Sequence, residues 1–185
     1  MIKIKTGQRE WENRHEIFVE KIKNLYIPGN EPALDALEGY NDTTKGLQAI
    51  IQEAIDTNTP LRPLGAGWSW SKIATAKDGI MLDTKSLNLT MNVSASSVVS
   101  SYTGDVNKLV FAQCGNGVWE ISRELRAKRL SLKTTGASNG QTIVGAMSTG
   151  AHGSSFDVGA VPDYVIGMHL IVGPNRHIWL ERKSA

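Results

Sequence analysis

The sequence has little of what would cross-link the chain or anchor it in a membrane. Cys114 is the single cysteine among 185 residues, so the chain can form neither an internal disulfide nor a zinc cluster of cysteines. No apolar run approaches the about 20 residues of a membrane-spanning helix, and the N-terminus lacks the apolar stretch of a signal peptide. We expect a cytoplasmic protein without a membrane span, in which Cys114 is a small buried residue.

The sequence also lacks an excess of one charge. Lysine and arginine number 20 and aspartate and glutamate 18, which gives a formal net charge of +2. Basic residues are interspersed with acidic ones and form no cluster that would bind nucleic acid or an anionic membrane. With 41% hydrophobic residues, the chain can form the core of one ordinary domain. We expect no nucleic acid, membrane or metal as partners.

Hydrophobic spacing predicts helical structure in three places. Residues 8–26 are weakly amphipathic, with Phe18, Ile22 and Leu25 at helical spacing. A clearer helix covers residues 47–55, with "DTT" before it as a source of N-caps and "TNTP" at its end. The third is "NGVWEISRELRAKRLS". Between the first two, "IPGNEPALD" predicts a connector, because it contains two prolines and a glycine.

Strands are predicted by short apolar runs that end at glycine, proline or polar residues. They are "LRPL", "GIMLD", part of residues 91–104, the buried run "KLVFAQCG", and a final hairpin of "DYVIGMHLIV" and "RHIWLER" joined by "GPNR". Helices and strands do not alternate as in a regular βαβ repeat. The sequence therefore predicts a mixed protein of the α+β class.

A long stretch without charge lies between Thr134 and Phe156. It contains no Asp, Glu, Lys or Arg, whereas about five charged residues would be expected from the 21% charged composition. The stretch does not have the composition of an apolar core strand, because glycines and small hydroxyl residues dominate it. These residues are Gly136, Gly140, Gly145, Gly150 and Gly153, with Thr135, Ser138, Thr142, Ser148, Thr149, Ser154 and Ser155.

Glycines also gather in "RPLGAGWSWS" (Arg62–Ser71), directly after a predicted strand. Backbone N–H groups and hydroxyls can hold a phosphate without a salt bridge, and glycine lets the backbone approach it closely. One such segment could equally be a small, polar surface loop. Two in one short chain, each beside a strand, favour a site for an elongated nucleotide.

The two common nucleotide motifs are absent. In "GAGWSW" the third glycine of a Rossmann fingerprint would fall at Trp70, and the residues that follow do not have the pattern of a helix. No G-K-[ST] triplet is present, which excludes a P-loop. A dinucleotide held by a fold other than the Rossmann fold remains.

The two segments and their flanking strands resemble the FAD-binding domain of the vanillyl-alcohol oxidase / p-cresol methylhydroxylase (PCMH) superfamily, and most of all the aldonolactone and alditol oxidases. The resemblance rests on "LRPLGAGWSWSKIA", "DGIMLDTKSLN", "QTIVGAMSTGAHGSS" and "VIGMHLIV". It implies a PCMH-type α+β fold of two α/β subdomains with mixed parallel and antiparallel sheets and FAD between them. The subdomains would cover about residues 40–106 and 107–185, after an N-terminal extension of residues 1–39.

The resemblance also implies which residues contact FAD. The loop "LGAGWS" would hold the pyrophosphate through backbone or hydroxyl groups of Gly65, Ala66, Gly67 and Ser69. Ile171, on the first strand of the final hairpin, would contact the adenine end. A second wall around the ribityl chain, pyrophosphate and flavin would consist of Ser138, Thr142, Gly145, Ser148, Gly150 and His152. His152 is thereby interpreted as a structural or flavin-contacting residue rather than a catalytic base.

Trp68 departs from the pattern of the superfamily. Many members have a histidine at this position, in the pattern G-x-G-H-S, and that histidine can be attached covalently to the flavin. An indole has no nucleophilic nitrogen suited to this bond. We therefore predict that FAD is held non-covalently at position 68, where Trp68 can also pack against a neighbouring strand.

The oxidases of this superfamily carry a second, larger region that forms the substrate pocket and supplies most catalytic groups. This chain contains no convincing acid or base for the reaction, so we expect no catalytic residues in it and no activity from it alone. We expect the FAD-binding part of an oxidase or dehydrogenase that acts on a CH–OH group of a sugar, alditol or aldonolactone.

Without the region that binds this small-molecule substrate, an exposed apolar face would favour self-association. Two alternatives remain open. One is a non-catalytic nucleotide-binding or interaction module on the same scaffold, and the other is an NADPH-dependent flavin reductase of the same superfold.

Overall fold

The computed structural model of the chain describes residues 2–29 and 35–183. They form two compact units. The first takes in the described residues of 1–86 and 170–178, and the second those of 87–169 and 179–185. The division expected from the sequence, with an N-terminal extension and a boundary near residue 107, follows different limits and stays a prediction.

A four-stranded sheet and one long helix dominate the first unit. Its elements in chain order are β1 (Ile2–Lys5), β2 (Glu10–Glu12), β3 (Val19–Lys21), β4 (Asn24–Gly29), α1 (Ala36–Asp56), β5 (Leu61–Leu64) and β6 (Ile80–Asp83). The sheet has the order β1-β4-β6-β5, in which β1 is antiparallel to β4 and the other pairs are parallel. β2 and β3 form a separate antiparallel pair. The predicted strands "LRPL" and "GIMLD" are confirmed as β5 and β6.

Both faces of this sheet are covered. On one side Ile80 and Leu82 of β6 are buried in a cluster with Ile50 of α1. On the other side Met81 is fully buried in a second cluster, against which Trp11 of β2 packs. This alternation is the period of a strand, in which successive side chains point to opposite faces. The β2–β3 pair therefore takes the place that a second helix would occupy in a layered α/β unit.

Helix α1 begins earlier than the sequence predicts. Its N-cap is Asp35, whose carboxylate accepts the N–H of Glu38 at 2.7 Å, and not the predicted "DTT". Thr43 and Thr44 of that triplet lie inside the helix, because their hydroxyls donate to backbone carbonyls one turn earlier. The predicted end is confirmed, with Thr57 as C-cap. Of the predicted connector "IPGNEPALD", the first three residues belong to β4, and residues 30–34 lie outside the described residues.

The helical prediction for residues 8–26 is wrong, because the segment forms β2, β3 and the start of β4. Trp11 pairs with Glu20 across β2 and β3. The turn between the two strands contains Glu16 at φ 56°, a left-handed conformation that would end a helix. Ile22, which its spacing places on a helical stripe, packs on the main sheet beside Met81.

The described residues of the second unit contain short strands and two α-helices. Its elements are β7 (Thr90–Asn92), β8 (Val110–Ala112), α2 (Val118–Ala127) and α3 (Ile143–Ser148), and it shares with the first unit the hairpin of β9 (Gly167–Gly173) and β10 (Arg176–Glu181). Helix α2 is confirmed, with Val118, Ile121 and Leu125 buried. The hairpin is also confirmed, with a two-residue turn at residues 174–175. The strand predicted over "KLVFAQCG" is shorter and only half-buried, because β8 pairs with β7 alone in a two-stranded sheet.

The charge-free segment is not entirely loop. It contains α3, whose buried Ala146 packs against Val118 of α2 and Val161. The glycines on either side concealed this helix, because it is only six residues long. No helix among the described residues is long and apolar enough to cross a membrane.

Candidate functional site

The first glycine-rich loop, Gly65–Ser69, leaves the carboxyl end of β5, which is parallel to β6. Loops at the carboxyl ends of parallel strands are common ligand sites in α/β sheets. All five residues are half-buried. Gly67 has φ +71°, and a Cβ there would lie 3.1 Å from the indole ring of Trp11. Both the backbone conformation and the close contact therefore require glycine at position 67.

Three consecutive carbonyls of this loop accept hydrogen bonds from three consecutive residues. The carbonyl of Gly67 accepts the N–H of Arg14 at 3.1 Å, that of Trp68 accepts Nε2 of His15 at 3.2 Å, and that of Ser69 accepts Nδ2 of Asn13 at 3.1 Å. Because a carbonyl oxygen can only accept, Nε2 of His15 carries a proton. The loop is thereby fixed to the turn between β2 and β3.

The amide groups of the same loop have no hydrogen-bond acceptor in the described part of the chain. Within residues 2–29 and 35–183, the backbone N–H groups of residues 65–70 donate no hydrogen bond. Partly exposed N–H groups around a glycine at positive φ form the kind of concave surface that binds anions. The loop contains no acidic side chain that would oppose a phosphate. The arrangement fits a pyrophosphate held by backbone groups.

The Trp68 side chain is packed by charged and aromatic neighbours. The Arg14 guanidinium lies 4.7 Å from the centre of its indole ring, and the His15 ring meets it edge-on at 5.6 Å between centroids. The stack continues to Trp70, whose ring lies 4.9 Å from that of His15 and is 74% exposed. Such cation–π and aromatic contacts hold the half-buried indole in place. The packing role expected for Trp68 is present, with partners on a turn rather than on a strand.

The second glycine-rich segment is organised by its own residues. The Thr142 hydroxyl caps α3 by accepting the N–H of Gly145 at 3.3 Å, and a Cβ at position 145 would lie 2.9 Å from this oxygen. Gly150, at φ +65°, ends the helix in the left-handed conformation, and the N–H of Ala151 then donates to Ala146 at 2.9 Å. Three predicted ligand residues, Thr142, Gly145 and Gly150, thus have structural roles at the ends of α3.

Free donors and an unpaired acceptor lie before α3. In the described part of the chain, the amide groups of residues 136–142 donate no hydrogen bond, and the half-buried Ser138 lies among them. Oε1 of Gln141 is buried and has no partner among the described residues. A buried polar atom of this kind calls for an explanation such as a ligand or water. Gln141 is not among the residues that the sequence predicts, because its buried oxygen is unpaired only in the folded chain.

The other predicted residues lie in more open positions. Ser148, in the last turn of α3, and His152 are exposed. Nδ1 of His152 lies 3.0 Å from the carbonyl of Gly153, so it is this nitrogen that carries a proton in that contact. Ile171 lies half-buried on β9. The predicted site residues thus fall into a group in the first unit, residues 65–69 with Ile171, and a group in the second, residues 138–152.

A half-buried tyrosine, Tyr164, is bonded to the start of the second segment. Burial raises the pKa of Tyr164, whose hydroxyl donates to the carbonyl of Thr134 at 3.1 Å. Thr134 in turn accepts the N–H of Gly153 at 2.7 Å through its own hydroxyl. Thr134, the first residue of the charge-free segment, is thus bonded both to Gly153 near the end of the segment and to Tyr164 beyond it. Across residues 2–29 and 35–183, no three His, Cys, Asp or Glu side chains lie together as metal ligands would.

The chain is similar to a defined family and to longer oxidoreductases. Residues 40–180 match the model of a family described as FAD binding domain. The chain is 25% identical over 174 residues to mitochondrial L-galactono-1,4-lactone dehydrogenase of Brassica oleracea, covering 94% of this chain and 24% of that protein. It is 28% identical over 137 residues to a putative D-arabinono-1,4-lactone oxidase of Neurospora crassa, covering 74% of this chain and 23% of that protein. It thus spans about a quarter of the length of these relatives.

Solved structures share the fold. Cholesterol oxidase from B. sterolicum superposes with a TM-score of 0.71 over 98% of this chain and 33% of its own, at 17% sequence identity. This similarity confirms the expected PCMH-type α+β fold with mixed parallel and antiparallel sheets. Taken with the match over residues 40–180, it leads to one conclusion: the chain belongs to the FAD-binding domain family, and FAD is its cofactor.

Proposed function

We propose that this chain holds FAD within a flavin-dependent oxidoreductase that oxidises a CH–OH group of a sugar, alditol or aldonolactone. The observation that carries the proposal is the loop of residues 65–70. Its amides donate no hydrogen bond within the described residues, while the carbonyls of residues 67–69 each accept one. The loop lies within the residues that match the FAD-binding family. The relatives from Brassica oleracea and Neurospora crassa are named for sugar-lactone substrates, which favours that class here.

Different residues of the chain would bind different parts of FAD. The amides of residues 65–69 and the Ser69 hydroxyl would bind the pyrophosphate, as the resemblance implies. Ser138, Ser148, Gly150 and His152 would line the flavin and ribityl part, and Ile171 the adenine. Thr142 and Gly145 would shape that wall through the start of α3 rather than by direct contact, because their polar atoms already bond each other. When bound, FAD supplies the two-electron redox chemistry, and the protein supplies binding and orientation.

We propose further that FAD is bound without a covalent bond at position 68. The indole ring of Trp68 is occupied by contacts with Arg14 and His15. Its nitrogen lone pair belongs to the aromatic system, so it is a hydrogen-bond donor only and a poor nucleophile. Cofactor affinity at this loop would then rest on backbone hydrogen bonds and on the glycine conformation.

Titration of the purified chain with FAD tests these proposals. We expect binding by calorimetry and quenching of flavin fluorescence, with much weaker binding of FMN, which lacks the pyrophosphate. After acid denaturation, all flavin should pass through a filter that retains the protein, and the mass of the protein should be unchanged. If neither FAD nor FMN binds, the cofactor-holding role is wrong and the non-catalytic module is favoured. A flavin-sized mass increase on a peptide containing Trp68 would contradict the non-covalent proposal.

Self-association and a cytoplasmic location remain proposals. Large apolar side chains are exposed in both units, among them Trp70, Phe156 and Trp179, which supports self-association. Sedimentation of the chain at increasing concentration tests it, since a constant monomer mass would contradict it. Cell fractionation tests the location, which for the Brassica oleracea relative is the mitochondrion by its name.

A further inference from the structure

The hairpin of β2 and β3, residues 10–21, lies outside the part of the chain that matches the FAD-binding family, which begins at residue 40. The family match therefore assigns no role to it. Yet its turn supplies all the hydrogen bonds to the carbonyls of Gly67, Trp68 and Ser69 described above. The hairpin belongs to the same compact unit as the loop.

Asn13 is the most constrained residue of this turn. It is 2% exposed, and both polar atoms of its side chain are used. Nδ2 donates to the Ser69 carbonyl at 3.1 Å, and Oδ1 accepts the N–H of Ile17 at 3.0 Å. The same side chain thus closes the turn and binds the loop. Asparagine is suited to both tasks because its amide group has a donor and an acceptor.

Because the peptide bond is planar, fixing the direction of a carbonyl also fixes the direction of the amide N–H that follows it. In a trans peptide the C=O of one residue and the N–H of the next point in opposite directions, and the described chain has no cis peptide. The carbonyls of Gly67, Trp68 and Ser69 point at the hairpin. The N–H groups of Trp68, Ser69 and Trp70 therefore point away from the groups that bind these carbonyls, and they donate no hydrogen bond in the described chain.

Other contacts hold the hairpin against the loop. The Trp11 ring lies against Gly67 and sterically limits how far the loop can move toward that ring. Beyond the loop, Nζ of Lys72 lies 3.1 Å from the Glu20 carboxylate, whose residue is 8% exposed. Nζ of Lys72 also lies 5.6 Å from the Phe18 ring. The loop is thus fixed to the hairpin at Gly67, along the carbonyls of residues 67–69 and just after its end.

We infer that Asn13, Arg14 and His15 are positioning residues of the cofactor site, which hold the peptide groups of residues 67–70 so that the amides of residues 68–70 stay available to the FAD pyrophosphate. This inference rests on the proposed function, because it takes the loop as the pyrophosphate site. It adds the Trp70 amide to the donors and gives the hairpin a role in affinity. Donors that are already aligned bind more tightly, since no ordering cost falls on binding.

His15 offers the cleanest test, because it is only half-buried. His15→Ala removes the donor to the Trp68 carbonyl and is expected to weaken FAD binding about tenfold. His15→Gln keeps an N–H donor at the end of the side chain and should recover most of that loss. Glu12→Gln, an exposed change on β2, is the matched control and should bind FAD normally. Asn13→Ala should have a larger effect, but it also opens the turn.

An NMR titration with inorganic pyrophosphate separates this inference from the proposed function. In the unaltered chain, the amide signals of Trp68, Ser69 and Trp70 should shift as pyrophosphate is added, and the shifts should shrink in His15→Ala. If these amides shift but FAD does not bind, the FAD-holding function is wrong and the positioning role stands. If FAD binds equally to all variants, or His15→Gln behaves like His15→Ala, the positioning role is overturned. The absence of any pyrophosphate shift in the unaltered chain would overturn it too.

Discussion

The two glycine-rich segments are alike in composition but are held in place by different means. Residues 65–69 form no helix, and distant residues fix their carbonyls. The segment from Thr134 to Phe156 contains its own helix, and Thr142 and Gly150 cap that helix locally. The same residue types therefore serve two purposes, since glycine permits a close approach at position 67 and a helix end at position 150. Changes at Gly67 should impair cofactor binding, and changes at the caps of α3 should mainly impair stability.

Gly67→Ala should have the largest effect. A side chain at φ +71° costs about 1–2 kcal/mol, and the added Cβ would also press on the Trp11 ring at 3.1 Å. Because the amides would shift with the backbone, we expect FAD affinity to fall about thirtyfold, measured by fluorescence quenching. The matched control is Gly7→Ala, at φ +76° with no atom within 4 Å of the added Cβ. If the two variants bind FAD equally, the special role of the first loop is contradicted.

Thr142→Ala should have an intermediate effect that appears in stability. Loss of the cap on α3 costs about 1 kcal/mol, and we expect a lower midpoint of urea unfolding. Thr142→Ser keeps the oxygen that accepts the Gly145 N–H and should restore most of the midpoint. FAD affinity should change much less than in Gly67→Ala. A loss of affinity as large as in that variant would show that Thr142 contacts the cofactor directly.

The smallest expected effect is on stability at alkaline pH, and it involves tyrosines with raised pKa values, one in each unit. Burial, together with the neighbouring Glu53 carboxylate, raises the pKa of Tyr26 to about 12, and burial alone raises that of Tyr164. Because the pKa of Tyr26 is higher in the folded than in the unfolded chain, the protonated hydroxyl stabilises the fold. This contribution to the free energy of unfolding is complete below pH 10, the unfolded pKa, and is lost as the pH rises toward 12. Tyr26→Phe should flatten the fall in the urea midpoint over this range. An unchanged slope would contradict the assignment.

Strong local signals made much of the fold predictable. The stripe of Leu47 and Ile50 identified α1, and the apolar runs identified β5, β6 and the final hairpin. Predictions failed where distant contacts decide the structure. Residues 8–26 form strands because Trp11 and Ile22 pack in a cluster with Leu64 and Met81, which lie far along the chain. Spacing within the segment does not contain this information.

The candidate site was predictable to a similar degree. The absence of charge and the glycines marked both segments, but composition does not distinguish a ligand residue from a helix cap such as Thr142. Gln141 and Asn13 escaped notice for a different reason. Each stands out through one property, a buried unpaired oxygen or a bond to Ser69, that exists only in the folded chain.

The bond between Asn13 and Ser69 joins residues 56 positions apart, which sets an order of events during synthesis. The hairpin leaves the ribosome first and must wait for β5 and its loop before its turn has anything to bind. Contacts of such sequence separation form slowly compared with a helix. Competence to take up FAD should therefore arise late in folding. A shortened protein that begins at residue 40, where the family match starts, would lack the hairpin and should therefore bind FAD less tightly than the whole chain.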